Sequence, residues 1–301
     1  MPELPEVQTT ATILNSLVVG KKIKDVWTDY NSSHYIGKEN IKDPAYFKKF
    51  KNRILNKRIT RVYRKAKNVL IELDDLSTIN IHMKMTGHLL YGEFVFDKKI
   101  KSWKASTSGP LQDPFNRFVH LVFTLDNELH IAFSDMRKFA TVMFHKDLSE
   151  LDLKFERTGP EPLDKRFDWK ILKEQLLKKP NQKIKTVLMN QELLVGVGNI
   201  YSDEILWSSH VHPERVIISL NDLDYKKIVT NMKKILEKGI IFGGDSMSDY
   251  RNPYGVPGEF QLHHNAYRRT NKPCNTKECS GIIERKVING RSAHFCMECQ
   301  K

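Results

Sequence analysis

The spacing of the cysteines constrains the fold of this chain more than any other feature of its sequence. All four lie in the last 28 of 301 residues, as a C-x4-C pair, sixteen intervening residues and a C-x2-C pair. Two close pairs at this separation are typical of a ribbon in which four thiolates hold one zinc ion. Two disulfides are the alternative, and they are less frequent in a chain without a secretory signal. We therefore expect one structural zinc, bound by Cys274, Cys279, Cys296 and Cys299.

The charge of the chain favours a polyanionic partner. Lysine and arginine number 49 against 36 acidic residues, which gives a formal net charge of +13. Each phosphate that a protein neutralises releases condensed counterions, so such an excess suits nucleic acid. Many soluble proteins from AT-rich genomes carry a similar excess, which leaves both explanations open. The sequence shows no apolar run of membrane-spanning length and no secretory signal pattern, so we expect a cytoplasmic protein.

The remaining sequence divides into a strand-rich part and a helical part. Residues 5–19 have apolar positions at spacings of three and four, which predicts an amphipathic helix that ends at Gly20. Strand-like runs separated by turn residues follow from about 22 to 145 and predict an antiparallel sandwich or barrel. Within them, the stretch 95–116 resembles a long loop. A proline-containing linker over 147–165 precedes residues 166–240, which have helical periodicity.

The N-terminal stretch Met1–Val7, MPELPEV, carries groups that can do chemistry. Once Met1 is removed, Pro2 becomes a secondary amine, which can attack an aldehydic carbon and form a cationic iminium. Glu3 and Glu6 stand close enough in sequence to pass protons to and from such an adduct. The alternative is structural: the prolines stiffen the chain and the glutamates favour the first turn of a helix.

Four further motifs follow this stretch in the chain. They are HMKMTG at 82–87, DMRKF at 135–139, KTVLMNQELLVGVGNIY at 185–201, and a glycine-rich polar segment over 243–258. Together with MPELPEV and the cysteines, they resemble the formamidopyrimidine-DNA glycosylase and endonuclease VIII family of base-excision repair enzymes. The resemblance covers essentially the whole chain. It implies an α+β multidomain fold with an N-terminal antiparallel β-sandwich and flanking helix (1–146), a linker (147–165), a helical helix–two-turn–helix domain (166–258) and a C-terminal zinc ribbon (259–301).

The resemblance also implies roles for individual residues. Pro2 is the expected nucleophile, Glu3 the proton-transfer group and Glu6 its support, and Lys67 grips the DNA backbone beside the lesion. His82 contacts phosphate. Chemistry on a base inside a duplex requires its extrusion, and a wedge of Met85, Arg137 and Phe139 would fill the gap. The expected DNA contacts in the C-terminal half are Lys185, Asn199, Tyr267 and Arg291. Ser246, Met247, Ser248 and Tyr250 belong to a loop that closes over the extruded base.

Three positions depart from the family pattern, which usually has glycine where this chain has Ala66, Ala140 and Arg268. The first cysteine pair also has two more intervening residues than is commonest. Neither departure removes a catalytic group or a metal ligand.

The implied activity is removal of oxidised purines, 8-oxoguanine and formamidopyrimidines, from duplex DNA, followed by nicking of the abasic site through β- and δ-elimination. The expected partner is double-stranded DNA with oxidised bases or abasic sites, bound by a monomer at the nucleoid. One alternative is an endonuclease VIII-like enzyme for oxidised pyrimidines, which the long segment at 243–258 disfavours. Another is a non-catalytic zinc-ribbon DNA-binding protein, which would leave the N-terminal motif unexplained.

Overall fold

The computed structural model of the chain describes residues 1–247 and 249–301. Its contacts divide the chain into two compact units, each made of two separate stretches. The first unit comprises Met1–Glu156 and Gly243–Glu259, and the second comprises Arg157–Phe242 and Phe260–Lys301. The glycine-rich segment 243–258 therefore packs within the first unit, although it follows the helical part of the chain.

The described part of the first unit contains ten strands. Their bounds are β1 Ile23–Thr28, β2 Ile59–Lys65, β3 Asn68–Leu73, β4 Thr78–His82, β5 Gly87–Gly92, β6 Phe94–Asp97, β7 Ser102–Ala105, β8 Val119–Leu125, β9 His130–Asp135 and β10 Thr141–His145. They form two antiparallel four-stranded sheets, with the orders β1-β8-β9-β5 and β10-β4-β3-β2, and the separate hairpin β6–β7. Three helices accompany them: α1 Leu4–Val18, α2 Pro44–Ile54 and α3 Leu148–Phe155.

Apolar side chains from both sheets and from α1 share one buried core. The face of α1 that enters it is the one predicted from the sequence, with Val7, Ala11, Leu14 and Val18 fully buried. Gly20, at a φ of +86°, follows the helix and turns the chain toward β1. The predicted β-sandwich with a flanking helix is therefore confirmed.

The stretch 95–116 is more ordered than the loop that its sequence predicts. It contains the hairpin β6–β7 and two 3-10 turns, Pro110–Gln112 and Pro114–Arg117. Trp103 of the hairpin packs edge-on against Trp27 of β1, with 6.4 Å between ring centroids. The hairpin and these turns cover a second apolar cluster of the sheet that contains β1, which is why all six residues of β9 are buried.

The second unit contains four helices and one hairpin among its described residues. Their bounds are α4 Trp169–Leu176, α5 Ile184–Leu188, α6 Asn199–Ser208, α7 Asp222–Ile241, β11 Ile283–Ile288 and β12 Arg291–Cys296. The longest helix, α7, packs against α4 and α6, and α6 also contacts β12. A helical domain followed by a cysteine-bearing hairpin is what the sequence predicts. None of the described helices has the length and apolar character of a membrane span.

Candidate active site and DNA-binding elements

The N-terminal motif forms the head of α1. Glu3 is the N-cap residue, and its carboxylate accepts the backbone N–H of Glu6 while the Glu6 carboxylate accepts the N–H of Glu3, at 2.6 Å. This reciprocal capping box satisfies two of the N–H groups that a helix start leaves without partners. Pro5 lies in the first turn, where its missing N–H costs nothing. The capping box therefore holds the residue after Pro2 in one geometry, and Pro2 itself is buried.

Glu6 joins this helix start to the glycine-rich segment 243–258. Its side chain is 2% exposed, and its second oxygen accepts the N–H of Asp245 at 2.7 Å. Burial raises the pKa of Glu6 to about 7, helped by the negative charge of Glu3. Gly244 passes so close that a Cβ there would lie 2.7 Å from Glu6 Cγ. A carboxyl group in this position can hold or release a proton near neutral pH.

The segment 243–258 is anchored on α1 by Tyr250. This side chain is 5% exposed, and its hydroxyl donates to the carbonyl of Glu6 at 3.0 Å and contacts Thr10 Oγ1 at 3.2 Å. Ser246 Oγ closes the segment on itself by donating to the Tyr250 carbonyl and accepting the N–H of Gly258, both at 2.8 Å. Met247 is 39% exposed. Of the predicted lesion-loop residues, Ser248 lies outside the described part of the chain.

A second anchor of this segment has no counterpart in the sequence motifs. Arg251 is 7% exposed, and its Nε lies 3.1 Å from Asp113 Oδ2 while its guanidinium lies over the ring of Phe115. Close by, a Cβ on Gly255 would lie 2.7 Å from the carbonyl oxygen of Pro110. The turns at 110–117 therefore support the far limb of the segment. The sequence offers no signal for a contact between residues so far apart.

Lys67 and His82 lie at neighbouring strand ends in the first unit. Lys67 follows Ala66 in the turn between β2 and β3, and His82 is the last residue of β4. The His82 Nδ1 accepts the N–H of Lys84 at 3.0 Å, which leaves Nε2 as the donor. Burial, together with the charges of Lys84, Lys67 and Lys154, lowers the pKa of His82 to about 3. A neutral donor among three lysines suits an anion such as a phosphate.

The predicted wedge residues come together on two adjacent loops. Arg137 Nη1 lies 3.2 Å from Met85 Sδ, and the guanidinium lies 4.4 Å from the centre of the Phe139 ring. All three side chains are exposed, with 41% for Met85 and 46% for Phe139. Exposed apolar side chains held together at a loop tip are suited to insertion between base pairs.

Asp135, fully buried, connects the two wedge loops. Its Oδ1 accepts the hydroxyl of Thr86 at 2.6 Å, and its Oδ2 accepts the Tyr30 hydroxyl at 3.1 Å and the Ala140 N–H at 2.9 Å. Thr86 Oγ1 in turn accepts the N–H of Arg137 at 3.1 Å. The first residue of the DMRKF motif therefore positions the others.

In the second unit, α5 and α6 are joined by a glycine turn. Gln191 holds it, since its side chain donates to the carbonyl of Val197 at 2.9 Å and accepts the N–H of Gly196 at 2.9 Å. Gly198 occupies the N-cap position of the following helix, and Asn199, predicted as a DNA contact, is the first residue of α6. The Oδ1 of Asn199 is buried and has no hydrogen-bond partner among the described residues.

Lys185, predicted as a DNA contact, lies in the interior of the second unit and not at its surface. It is fully buried, and its ammonium donates to Asp203 Oδ1 at 2.5 Å and to Ser202 Oγ at 3.3 Å. The other oxygen of Asp203 accepts both the N–H and the Nδ1 of His294, at 3.0 and 2.9 Å. Lys185 and Asp203 therefore tie α5, α6 and β12 together.

Glu204, also fully buried, holds the segment that leads into the hairpin. Its carboxylate accepts the backbone N–H groups of Asn265, Ala266 and Tyr267 at 2.8–3.1 Å. Tyr267 is half-buried and packs edge-on against the ring of His294 at 5.1 Å. Arg291 is exposed at the first position of β12.

The four cysteines converge on one point at the base of the hairpin. Their sulfur atoms all lie within 4.8 Å of one another, and none forms a disulfide. Two separations, Cys274–Cys299 and Cys279–Cys296, are 3.7 Å. A tetrahedron with Zn–S bonds of about 2.3 Å has sulfur–sulfur edges of about 3.8 Å, so the donor set fits zinc. The predicted structural zinc is confirmed and the disulfide alternative is not.

Comparisons with known proteins agree with this geometry over the whole chain. Residues 1–142 match the family model described as the formamidopyrimidine-DNA glycosylase N-terminal domain, and residues 158–251 match its H2TH domain. Residues 271–301 match a zinc finger found in FPG and IleRS. Proteins named formamidopyrimidine-DNA glycosylase from Herpetosiphon aurantiacus and Bacillus subtilis are 35% and 34% identical. The alignments cover all of this chain and 100% and 99% of those proteins.

Solved structures show the same relationship. A Lactococcus lactis Fpg in complex with abasic-site DNA is 28% identical with a TM-score of 0.81, over 99% of both chains. A variant of the L. lactis protein bound to DNA with Fapy-dG has a TM-score of 0.82 at 28% identity, over both whole chains. The MutM (Fpg) protein of Thermus thermophilus is also 28% identical, with a TM-score of 0.76, over 99% of this chain and 98% of that one. This chain is therefore a member of the formamidopyrimidine-DNA glycosylase family.

Proposed function

We propose that this protein excises oxidised purines from duplex DNA with Pro2 as the nucleophile and then cuts the DNA at the resulting abasic site. The observation that carries the proposal is the arrangement of Glu3 and Glu6 directly after Pro2, locked by the capping box and closed over by the segment 243–258. The relatives' names and their complexes with abasic-site and Fapy-dG DNA support the same substrate class. Because the substrate is DNA, we place the protein with the genome, at the nucleoid of the cytoplasm.

In the proposed mechanism, removal of Met1 frees the secondary amine of Pro2. Its nitrogen forms a bond to C1′ of the damaged nucleotide, the bond from C1′ to the base breaks, and the base leaves with a proton. Glu3 donates a proton to O4′ as the C1′–O4′ bond breaks, and the nitrogen gives up its own proton, which leaves a cationic iminium between Pro2 and C1′. The iminium then withdraws electrons from C2′. Loss of a C2′ proton expels the 3′ phosphate, and a second elimination expels the 5′ phosphate. Hydrolysis of the iminium returns the amine.

Glu6 is a positioning residue in this proposal. It holds the Glu3 N–H with one oxygen and the Asp245 N–H with the other, so it couples closure of the segment 243–258 to the geometry of Glu3. Its raised pKa lets this link weaken or strengthen with protonation near pH 7.

The DNA contacts divide into two proposed groups. Lys67 and His82 bind phosphates beside the lesion. Met85, Arg137 and Phe139 fill the place of the extruded base, and Arg137 forms hydrogen bonds with the base that has lost its partner. In the second unit, Asn199, Tyr267 and Arg291 hold the backbone, and the enclosed ammonium of Lys185 positions the turn before Asn199 rather than touching DNA. Zinc is structural, because four thiolates leave no open coordination position.

Borohydride trapping of the full-length protein tests this proposal. Reduction of the iminium should link the protein covalently to a duplex with 8-oxoguanine opposite cytosine, and Pro2→Gly should reduce trapping at least about a hundredfold. Pro5→Ala, in the same helix turn, should still trap. Intact mass should show loss of Met1.

Two results would redirect the proposal. No trapping on any lesion duplex would favour a non-catalytic DNA-binding protein. Faster trapping on a duplex with an oxidised pyrimidine than on the 8-oxoguanine duplex would favour the endonuclease VIII-like alternative.

A further inference from the structure

A cavity of about 600 Å³ lies beside the wedge, entirely within the first unit. It is lined by Arg137 and Phe139 of the wedge and by Tyr30, Tyr35 and Lys42. Lys84 and Lys138 also line it, and none of its described lining residues is acidic. A cavity walled by several cations and two phenol rings differs from the mixed charge expected of an ordinary surface hollow.

Lys42 is the most informative of these residues. Only 4% of it is exposed, and its ammonium donates to the carbonyl of Lys138 at 2.6 Å. The Nζ also lies 4.8 and 5.5 Å from the ring centres of Tyr35 and Tyr30. An ammonium has three N–H donors, so one carbonyl leaves donors available on the cavity side. Within the described chain no carboxylate lies close enough to Lys42 for an ion pair.

The nearby carboxylates are already committed to other donors. Asp135 accepts from Thr86, Tyr30 and Ala140, as described above, and Asp29 pairs with Lys138 at 3.2 Å and with His120 at 2.9 Å. Enclosing a charge is costly: burial lowers the pKa of Lys42, the carboxylate of Asp135 offsets only part of this effect, and the charge of Lys84 adds to it. An anion in the cavity would offset that cost.

We propose that this cavity binds a phosphodiester group of the undamaged DNA strand, next to the base left without its partner. The inference rests on the proposed function, because Arg137 and Phe139 would face that base while the Pro2 terminus holds the damaged strand. Lys42 supplies the enclosed charge, and the half-buried Tyr35 offers a ring surface for the adjoining nucleotide. The contact fixes the register of the undamaged strand against the wedge.

The first test uses Lys42→Met, which removes the charge and keeps an unbranched side chain only one atom shorter. Binding to a duplex with a reduced abasic site is measured over a salt series. We expect roughly three- to tenfold weaker binding and a slope of log K against log salt that is smaller by about 0.9, the value for one phosphate. Lys48→Met, at an exposed lysine of α2 that does not line the cavity, is the control and should leave the slope unchanged. Lys42→Arg should retain most of the slope.

The second test replaces single phosphates of the undamaged strand, within three nucleotides of the orphaned base, by uncharged methylphosphonates. Replacement at one position should weaken DNA binding by the parent protein by the same factor as Lys42→Met does. The same replacement should leave DNA binding by Lys42→Met unchanged. An unchanged salt slope, or losses that simply add at every position, would overturn the proposal and make Lys42 a support of the Lys138 carbonyl only. If Lys42→Met does not fold, the methylphosphonate scan with the parent protein decides. The proposal is then overturned if none of the replaced phosphates of the undamaged strand weakens binding.

Borohydride trapping by the parent protein separates this inference from the proposed function. Trapping without a sensitive phosphate would reject the cavity proposal alone. Failure to trap would reject the proposed function on which it rests.

Discussion

At the scale of single residues, Glu6 has two tasks that a different side chain could not combine. Both of its oxygens accept backbone N–H groups, and its enclosure raises its pKa to about 7. Glutamine would keep the volume but present an N–H to one of the two donors. The position therefore requires a carboxyl group. The pKa of this group is higher in the folded chain than in the unfolded chain.

The raised pKa of Glu6 predicts a pH dependence of stability. Between the ordinary value of 4.5 and about 7, the folded state keeps a proton that the unfolded state has released. The corresponding stabilisation is present below pH 4.5 and is lost as the pH rises through 7. From pH 5.5 to 7.5, the free energy of unfolding of Glu6→Gln should therefore rise by about 2 kcal/mol relative to the parent. Urea unfolding at several pH values measures this, with the exposed Glu93→Gln as control. Parallel profiles would contradict the assignment.

The departures from glycine at positions 66, 140 and 268 are not equivalent in the structure. Ala66 and Arg268 have φ values of +52° and +55°, a region that costs residues with a Cβ about 1–2 kcal/mol. Ala140 has no such φ and is almost fully buried. Ala66→Gly should thus stabilise the protein by up to about 1 kcal/mol, since glycine's own entropy cost offsets part of the strain. Ala140→Gly, the matched control, should destabilise it. Thermal unfolding distinguishes the two, and equal shifts would mean that φ is not the cause.

At the scale of elements, the two wedge loops act as one part because Asp135 holds both. The strands that they follow, β4 and β9, lie in different sheets, so an exposed Met85 would have no fixed relation to Phe139 without that buried carboxylate. A charged group at the centre of the arrangement accepts three donors at once, which no apolar side chain could do.

The wedge predicts different effects on two substrates. Unstacking a base costs a few kcal/mol, and an abasic site has already lost much of that stacking. Phe139→Ala should therefore slow excision of an oxidised purine at least about tenfold more than nicking at a preformed abasic site. Phe96→Ala, a similarly exposed phenylalanine on the β6–β7 hairpin, is the control. Arg137→Ala should also weaken discrimination between cytosine and adenine opposite the lesion. If the variants lose equal activity on both substrates, these residues have only a structural role.

At the scale of the whole molecule, the chain leaves its first unit after Glu156 and returns to it at Gly243. The segment 243–258, which packs on α1 beside Glu6, is therefore continuous along the chain with α7 on one side and with the stretch that leads to the zinc ribbon on the other. The ribbon itself has a small apolar cluster made largely of its cysteines, with Ile283 and Trp207 beside them. A second small cluster, Ile288, Ala293 and Phe295, lies along the hairpin. Because both clusters are small, we expect the metal to supply much of the ribbon's stability.

Removal of the zinc should therefore unfold the ribbon selectively. In Cys296→Ser we expect loss of the bound zinc, about one per parent chain, and of tight DNA binding, while the β-sandwich remains folded. Metal analysis, a DNA-binding assay and the near-ultraviolet circular dichroism of the purified variant test this together. A variant that lacks zinc and still binds lesion DNA as tightly as the parent would contradict the prediction.

The sequence alone determined the features that depend on local spacing. The face of α1, most strands of the sandwich and the four-thiolate site follow from periodicity and short intervals, and the motifs supplied the family. Short or weakly patterned elements escaped, as α2, β5 and the hairpin β6–β7 did, and α3 lies in the segment predicted as a linker. Their few apolar positions do not repeat often enough to be distinguished from loop.

Only the tertiary structure decided how distant residues share a charge or a cavity. It enclosed Lys185 with Asp203, set Arg251 on Asp113, raised the pKa of Glu6 and placed Lys42 beside the wedge. Each of these depends on burial and on partners far away along the chain, and burial changes the free energy of a charge by several kcal/mol. A one-dimensional pattern records which side chains are present, whereas their desolvation and their partners are set only when the chain is packed.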